Sequence, residues 1–224
     1  MFQSHIALRL FTWALWGILL FSLASLAWPL AQRTQERVEG WNSQKQLQQE
    51  WQRAAQAQRA KVRLASVSSR QKVRSKKKSS SAKKTRPAIP RPPKHWAPTR
   101  LIFPRMNLDA AVVQGIDDKA LLRGPGHDPA SSAPGEGNCV IAAHRNMAGW
   151  WFYNLNKVTT GDIVTLATPS RIFRYRVQTV RRVSERDTSL LRVTPGGAPR
   201  LTLYSCTIPK TDDRLTVIAR LESS

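Results

Sequence analysis

Alternating apolar and polar side chains in one segment constrain the fold most strongly. In the segment 172–184 the apolar residues Phe173, Tyr175 and Val177 fall at every second position, with arginines between them and a glutamine after Val177. Successive side chains of a β-strand point to opposite faces of a sheet. The segment therefore predicts a strand with one buried and one solvated face.

The rest of residues 100–224 has a similar plan, with short apolar runs separated by Gly, Pro, Asn and Asp. The candidate strands are Leu101–Met106, Ala110–Gln114, Asn138–His144, Asp162–Thr168, Ile172–Ser184, Arg200–Cys206 and Arg214–Leu221. Short helical turns are predicted at Asp118–Arg123 and Trp151–Lys157. Strands and helices do not alternate regularly, so the pattern predicts an all-β domain. A small, mostly antiparallel barrel is expected, because closure removes exposed strand edges.

Residues 1–30 carry a different signal. The stretch Phe11–Leu30 contains 20 residues without a charge, about the length that a helix needs to cross a bilayer. Tryptophans near both of its ends suit the two membrane interfaces. We therefore predict a retained transmembrane anchor. A cleaved signal peptide, with small residues at Ser25 and Ala27, is the alternative.

Two polar segments separate the apolar stretch from the predicted barrel. Residues 31–65 are rich in Gln, Ala, Arg and Glu and poor in apolar residues, a composition that predicts a solvated helical stalk. Residues 66–99 change from Ser and Lys to Pro, which predicts a disordered basic linker.

The strong positive charge raises the question of nucleic-acid binding, because the formal charge is +22 and the pI is about 11.4. Residues 31–100 carry 19 basic and 3 acidic residues, whereas residues 101–224 carry 16 basic and 11 acidic. No aromatic platform or DNA-binding motif accompanies the lysine run 76–78. The charge is better explained by a tether attracted to anionic lipid or envelope polymer, and no specific nucleic acid is expected as a partner.

Three reactive side chains are found at predicted strand ends. Cys206 ends one strand, Arg214 opens the next, and His144 ends a third. A thiolate can attack a carbonyl, and an imidazole can exchange a proton near neutral pH. A guanidinium can stabilise an oxyanion without losing its charge. The three residues predict an acyl-transfer site of the Cys-His-Arg kind.

The C-terminal domain also carries an ordered set of short motifs. They are Arg100-Leu101-Ile102-Phe103-Pro104, Gly124-Pro125-Gly126-His127, Pro134-Gly135-Glu136-Gly137, Ala143-His144-Arg145, Thr202-Leu203-Tyr204-Ser205-Cys206 and Asp213-Arg214-Leu215. With this order and spacing, residues 100–224 resemble a sortase, a member of a family of extracytoplasmic cysteine transpeptidases. The family's cysteine motif usually reads Thr-Leu-x-Thr-Cys, and Ser205 keeps the hydroxyl of the commoner threonine.

The resemblance implies an eight-stranded barrel, outside the cytoplasm, that cleaves an LPxTG-like sorting signal between Thr and Gly. Cys206 would form a thioacyl enzyme, and His144 would protonate the leaving amine. Arg214 would position the signal and stabilise the oxyanion, and Thr202 and Ser205 are expected to bind the substrate. An amine of the cell envelope or of a pilin would then resolve the thioester. In this family the active pair is a thiolate with an imidazolium, and no cofactor or metal is needed.

Several alternatives stay open from the sequence. Cys139 is expected to pack in the core, but a disulfide with Cys206 would silence the nucleophile. His127 is expected to be solvated or turn-stabilising rather than catalytic. Residues 150–153 could wall a substrate groove or begin a short helix packed on the barrel. The alternative function is a catalytically inactive, envelope-associated barrel that binds peptides.

Overall fold

A computed structural model shows a closed eight-stranded β-barrel preceded by a long helix. The structure describes residues 2–75, 97–147, 149–187, 189, 197–208 and 211–222. The elements are α1 (Phe2–Ser75), β1 (Thr99–Phe103), β2 (Leu108–Gln114), α2 (Asp118–Arg123), β3 (Gly126–His127), β4 (Asn138–Ala142), β5 (Ile163–Ala167), β6 (Ile172–Ser184), β7 (Arg200–Cys206) and β8 (Asp213–Leu221). Two 3₁₀ turns are formed by Pro104–Met106 and Tyr153–Lys157.

The strands close in the order β1-β2-β3-β4-β7-β8-β6-β5, and β5 pairs with β1. All pairs are antiparallel except β2–β3 and β4–β7. The barrel is confirmed, and each of the seven candidate segments forms a strand. The first strand stops at Phe103 because Pro104 lacks the N–H that would continue the ladder. The barrel has one further strand, β3, which was not among the seven candidate segments and has only two residues.

One face of the strands packs into a single core. Tyr175 and Val177 are fully buried, as the alternation predicts. The Tyr175 hydroxyl accepts the N–H of Gly135 at 2.7 Å, and a Cβ on Gly135 would lie 2.2 Å from the Phe173 ring. Gly135 also has φ +83°, a conformation that favours glycine. The Pro-Gly-Glu-Gly turn is therefore a structural element that covers this side of the core.

Helix α1 is continuous through the apolar stretch 11–30 and the predicted stalk 31–65. It extends to Ser75, so the prediction of disorder is wrong for residues 66–75, which contain neither Pro nor Gly to end a helix. The rest of the predicted linker, at 76–96, lies outside the described residues. Among the residues whose side chains are described, no helix is both long and apolar enough to cross a membrane.

Part of the predicted stalk contacts the barrel instead of water. Gln44 and Ala55 are buried, at 5% and 7% exposure, and α1 packs against α2, β1 and β2. The prediction of a wholly solvated stalk is therefore wrong for this part of the helix. The contact depends on a side-chain amide and on glycines, which an apolar pattern does not reveal.

Candidate active site

The predicted cysteine, histidine and arginine come together on three neighbouring strands. In the β7–β8 ladder, Cys206 lies directly opposite Arg214. β4 lies parallel to β7 on its other side, and the pairing continues past β4, where the N–H of Ala143 donates to the carbonyl of Tyr204 at 3.3 Å. The same register places His144 beside Cys206. We call these three residues the Cys-His-Arg site.

The side chains of the Cys-His-Arg site project from the outer face of the barrel. Leu203, Leu215 and Ala143, each an odd number of positions from one of the three residues, belong to the hydrophobic core. Because successive side chains alternate between faces, the three candidate residues point outward. All three are partly exposed. A substrate can therefore reach them from solvent.

An acidic partner orients Arg214. Its Nη2 donates to Glu185 Oε2 at 2.6 Å, and its Nη1 donates to the carbonyl of Asp213 at 3.3 Å. Glu185 follows β6, whose pairing with β8 brings Ser184 opposite Asp213. The sequence does not predict Glu185 as a site residue, because strand register rather than spacing brings it to the site. The ion pair restricts the guanidinium, so that its remaining donors keep a defined direction.

A short closed loop carries His144. The carbonyl of His144 accepts the N–H of Phe152 at 3.2 Å, and Arg145 Nε donates to the carbonyl of Tyr153 at 3.4 Å. Phe152 is fully buried and precedes the 3₁₀ turn, as the short-helix alternative predicts. Trp150 and Tyr153 stay exposed, and their ring centroids are 4.9 Å apart. The loop is thus closed at its base and presents two aromatic rings at its surface.

The environment of His144 favours the neutral imidazole. Burial lowers the pKa of His144, and the carboxylates of Asp118 and Glu36 oppose this shift. Both carboxylates belong to helices, Glu36 to α1 and Asp118 to α2. Two helices outside the strand ladder therefore contribute to the electrostatics of the site.

Tyr204 is a further polar residue beside the site. It lies two positions before Cys206 on the same face of β7. Burial raises the pKa of the Tyr204 hydroxyl, the carboxylate of Asp128 raises it further, and Arg214 opposes the shift. The phenol consequently stays protonated and can donate a hydrogen bond near the thiol. Its position in the cysteine motif is the only sequence signal for this role.

The two residues predicted to bind substrate have contacts within the sheet instead. Ser205 faces the interior and is buried, and its Oγ donates to the carbonyl of Ala143 at 2.6 Å. Thr202 is also buried, and its Oγ1 donates to Asn138 Oδ1 at 2.8 Å. Both bonds join β7 to the β4 segment. The hydroxyls therefore hold the two strands together, and Ser205 lies on the face of β7 opposite Cys206.

The second cysteine and the second histidine are structural. Cys139 is fully buried on the inner face, where burial raises the pKa of its thiol, and both cysteines are free. His127 is buried in β3, with its Nε2 3.1 Å from the carbonyl of Ser132 and 3.0 Å from Ser131 Oγ. Core packing is confirmed for Cys139. His127 stabilises a turn and is not solvated.

The chemistry available at the site is that of a thiol, an imidazole and a guanidinium. In the described ranges, no three His, Cys, Asp or Glu side chains are grouped closely enough to hold a metal ion. A nucleophile, a proton carrier and a fixed cation suffice for acyl transfer.

Comparison with known proteins agrees with this geometry. A family model described as a sortase domain matches residues 101–222. A sortase D5 transpeptidase from Clostridium perfringens superposes with a TM-score of 0.53 at 27% identity, over 57% of this chain and 79% of that chain. Sortase A from Corynebacterium diphtheriae gives 0.54 at 26% identity, over 57% and 61% of the two chains. A sortase E mutant from Streptomyces avermitilis gives 0.51 at 26%, over 57% and 89%.

No curated protein matches the chain. The similar structures represent several sortase classes and single out none of them. The family match itself spans more than half of the chain and covers the whole barrel except for the first residues of β1. The chain therefore belongs to the sortase family, whose members are cysteine transpeptidases.

Proposed function

We propose that this chain is a membrane-anchored transpeptidase that cleaves an LPxTG-like sorting signal and transfers the protein to an amine of the cell envelope or of a pilin. One observation carries the proposal: Cys206 lies between Arg214 and the His144 position on the outer face of the barrel. No other thiol among the described residues is exposed, since Cys139 is buried. Cys206 is thus the nucleophile.

The reaction proceeds in two acyl transfers. His144 takes the proton of the Cys206 thiol, and the resulting thiolate attacks the threonine carbonyl of the signal, where Arg214 stabilises the oxyanion. Collapse of this intermediate breaks the Thr–Gly bond, and His144 gives its proton to the leaving amine. An acceptor amine then attacks the thioester and loses its proton to His144. The Cys206 thiolate leaves as the new amide is formed, and it takes the proton back from His144, so that the enzyme returns to its starting state.

The ion pair between Arg214 and Glu185 supports the role of the arginine. A guanidinium that is already oriented costs little reorganisation when the oxyanion develops. Arg214 is only 22% exposed, so its interactions are less screened than those of a freely solvated arginine. The protonated phenol of Tyr204 supplies a second donor on the same face.

The direct test is mass spectrometry of the chain incubated with a library of sorting peptides and a mixture of amines. We expect an acyl adduct on Cys206 and, with the preferred amine, a peptide joined to that amine. The adduct identifies the sorting motif, and the released product identifies the acceptor, including water. Peptide binding without any covalent adduct would instead support the inactive peptide-binding barrel.

We place the catalytic domain outside the cytoplasm, on a single-pass anchor formed by Phe11–Leu30. The uncharged composition of this stretch supports the anchor, as does the exposure of large apolar side chains on α1 such as Trp16 and Phe21. Arg37, seven residues after Leu30, would lie about 10 Å along the helix from the membrane edge.

Cell fractionation and protease treatment of intact cells test this location. We expect the chain to sediment with membranes and to be cleaved within residues 66–99 by added protease, because these residues would lie outside the cytoplasm. A cytoplasmic protein serves as the control for cell integrity. Protection of the segment in intact cells, with cleavage after lysis, would contradict the proposed orientation.

A further inference from the structure

We propose that residues 36–55 of α1 belong to the catalytic unit and that Arg37 is a positioning residue for the loop that carries His144. The inference rests on the proposed function for the role of His144. This part of α1 lies before the family match, which begins at residue 101. The contacts with the barrel domain come from one face of α1. They are made by three residues that are spaced by seven: Arg37, Gln44 and Trp51.

Gln44 joins the barrel through three hydrogen bonds. Its Oε1 accepts the N–H of Ala111 at 2.8 Å, and its Nε2 donates at 2.9 Å to the carbonyls of Ala111 and Arg123. β3 pairs only with Val113 and Gln114, so Ala111 has no neighbouring strand on that side. The amide of Gln44 therefore takes the place of a strand there, and it also binds the last residue of α2.

Two glycines allow this close approach. A Cβ on Gly124 would lie 2.2 Å from Gln44 Nε2, and a Cβ on Gly40 would lie 2.8 Å from the carbonyl of Leu122. Gly40 lies inside a helix, where glycine costs about 1 kcal/mol relative to alanine. Its presence there is explained by the contact with α2.

Trp51 makes a second attachment two turns further along α1. Its Nε1 donates to the carbonyl of Ala167 at 2.9 Å, and the guanidinium of Arg100 lies 5.6 Å from the centroid of its ring. Two attachments on one face fix both the rotation of the helix and its position along its axis. The position of Arg37 relative to the barrel is fixed as a result.

Arg37 reaches the histidine loop at the other end of this face. Its guanidinium carbon lies 5.5 Å from the centroid of the Trp150 ring, within the range of a cation–π interaction. Trp150 has φ +57° and Gly149 has φ +88°, so the loop contains a strained residue that needs outside support. The same loop is closed by the bond from Phe152 to the carbonyl of His144. Arg37 therefore stabilises the loop conformation that sets His144.

The test uses the full-length chain with the substitutions Arg37→Ala and Arg37→Lys. We expect Arg37→Ala to lower kcat roughly three- to fivefold with little change in KM for the sorting peptide, and Arg37→Lys to restore most of the rate. The matched control is Arg53→Ala, an exposed arginine of the same helix, which should behave like the parent chain. In a Trp150→Ala background, Arg37→Ala should cause no further loss. The proposal would be overturned if Arg37→Ala and Arg53→Ala had the same kcat. It would also be overturned if Arg37→Ala lowered kcat as much in the Trp150→Ala background as in the parent chain.

A readout without catalysis separates this inference from the proposed function. In the Cys206→Ala chain, Arg37→Ala should shift the NMR signals of the His144 ring and of the Trp150 indole, whereas Arg53→Ala should not. Unchanged signals would overturn the positioning role even if the chain is an active transpeptidase. Shifted signals, together with the absence of an acyl adduct on the parent chain that retains Cys206, would support the contact and contradict the proposed function alone.

Discussion

Replacing Cys206 with alanine should reduce acyl transfer by at least about a thousandfold and leave the barrel folded. The only other cysteine, Cys139, cannot substitute, because it lies on the inner face and burial raises the pKa of its thiol. Cys206 ends a strand and is partly exposed, so the substitution removes little packing. The measurements are adduct formation by mass spectrometry, the steady-state rate with the preferred peptide, and the thermal unfolding midpoint.

Cys139→Ala is the matched control for this prediction. We expect transfer activity within a few-fold of the parent chain, and an unfolding free energy lower by about 1–2 kcal/mol, because a buried sulfur is lost from the core. Rapid alkylation by iodoacetamide should disappear only in Cys206→Ala. Loss of activity in Cys139→Ala with activity retained in Cys206→Ala would exclude Cys206 as the nucleophile.

The barrel could be predicted because β6 shows the two-residue period and the other predicted strands are short apolar runs separated by turn residues. Phe173, Tyr175 and Val177 alternate with arginines, and the structure buries these three side chains. β3 could not be predicted in this way. It contains only Gly126 and His127, too few residues to show a period, and its pairing depends on the strands beside it.

The candidate site could be predicted in part. The motifs gave Cys206, His144 and Arg214, and the strand pairing brings them together. The same alternation that assigned Cys139 to the core also places Ser205 and Cys206 on different faces of β7. The interior position of Ser205 could therefore have been predicted from the sequence. Glu185 was not available, because it lies 29 residues from Arg214 and reaches it only through the β6–β8 register.

The contact between α1 and the barrel could not be predicted from the sequence, for a different physical reason. Apolar periodicity is the usual sign that a helix packs on a core, and this part of α1 is largely polar. Its attachments are an amide that completes a strand edge, an indole N–H and two glycine contacts. Hydrogen bonds to backbone groups leave no periodic trace in the sequence. A polar helix can therefore be an integral part of a domain and still be predicted to be solvated.

Replacing His144 with alanine should lower the rates of both half-reactions by roughly 10² to 10⁴-fold. The residue is expected to give a proton to the leaving amine and to take one from the acceptor amine, and no other histidine among the described residues lies beside Cys206. Thioacyl formation, followed by quenching and mass spectrometry, reports the first half-reaction. Transfer from a preformed thioacyl enzyme to the amine reports the second. A loss in only one of them would show that the proton carrier differs between the two steps.

His127→Gln distinguishes catalysis by His144 from a general need for histidine. His127 lies in β3, and its ring bonds to Ser131 and the carbonyl of Ser132, so its replacement should lower the free energy of unfolding but leave measurable transfer. His144 has less to lose in packing, because it is partly exposed and its carbonyl, which alanine retains, makes the bond to Phe152. His144→Ala should therefore be nearly as stable as the parent chain and almost inactive. The opposite pair of results, an inactive His127→Gln and an active His144→Ala, would move the proton carrier to the β3 turn and contradict the assignment.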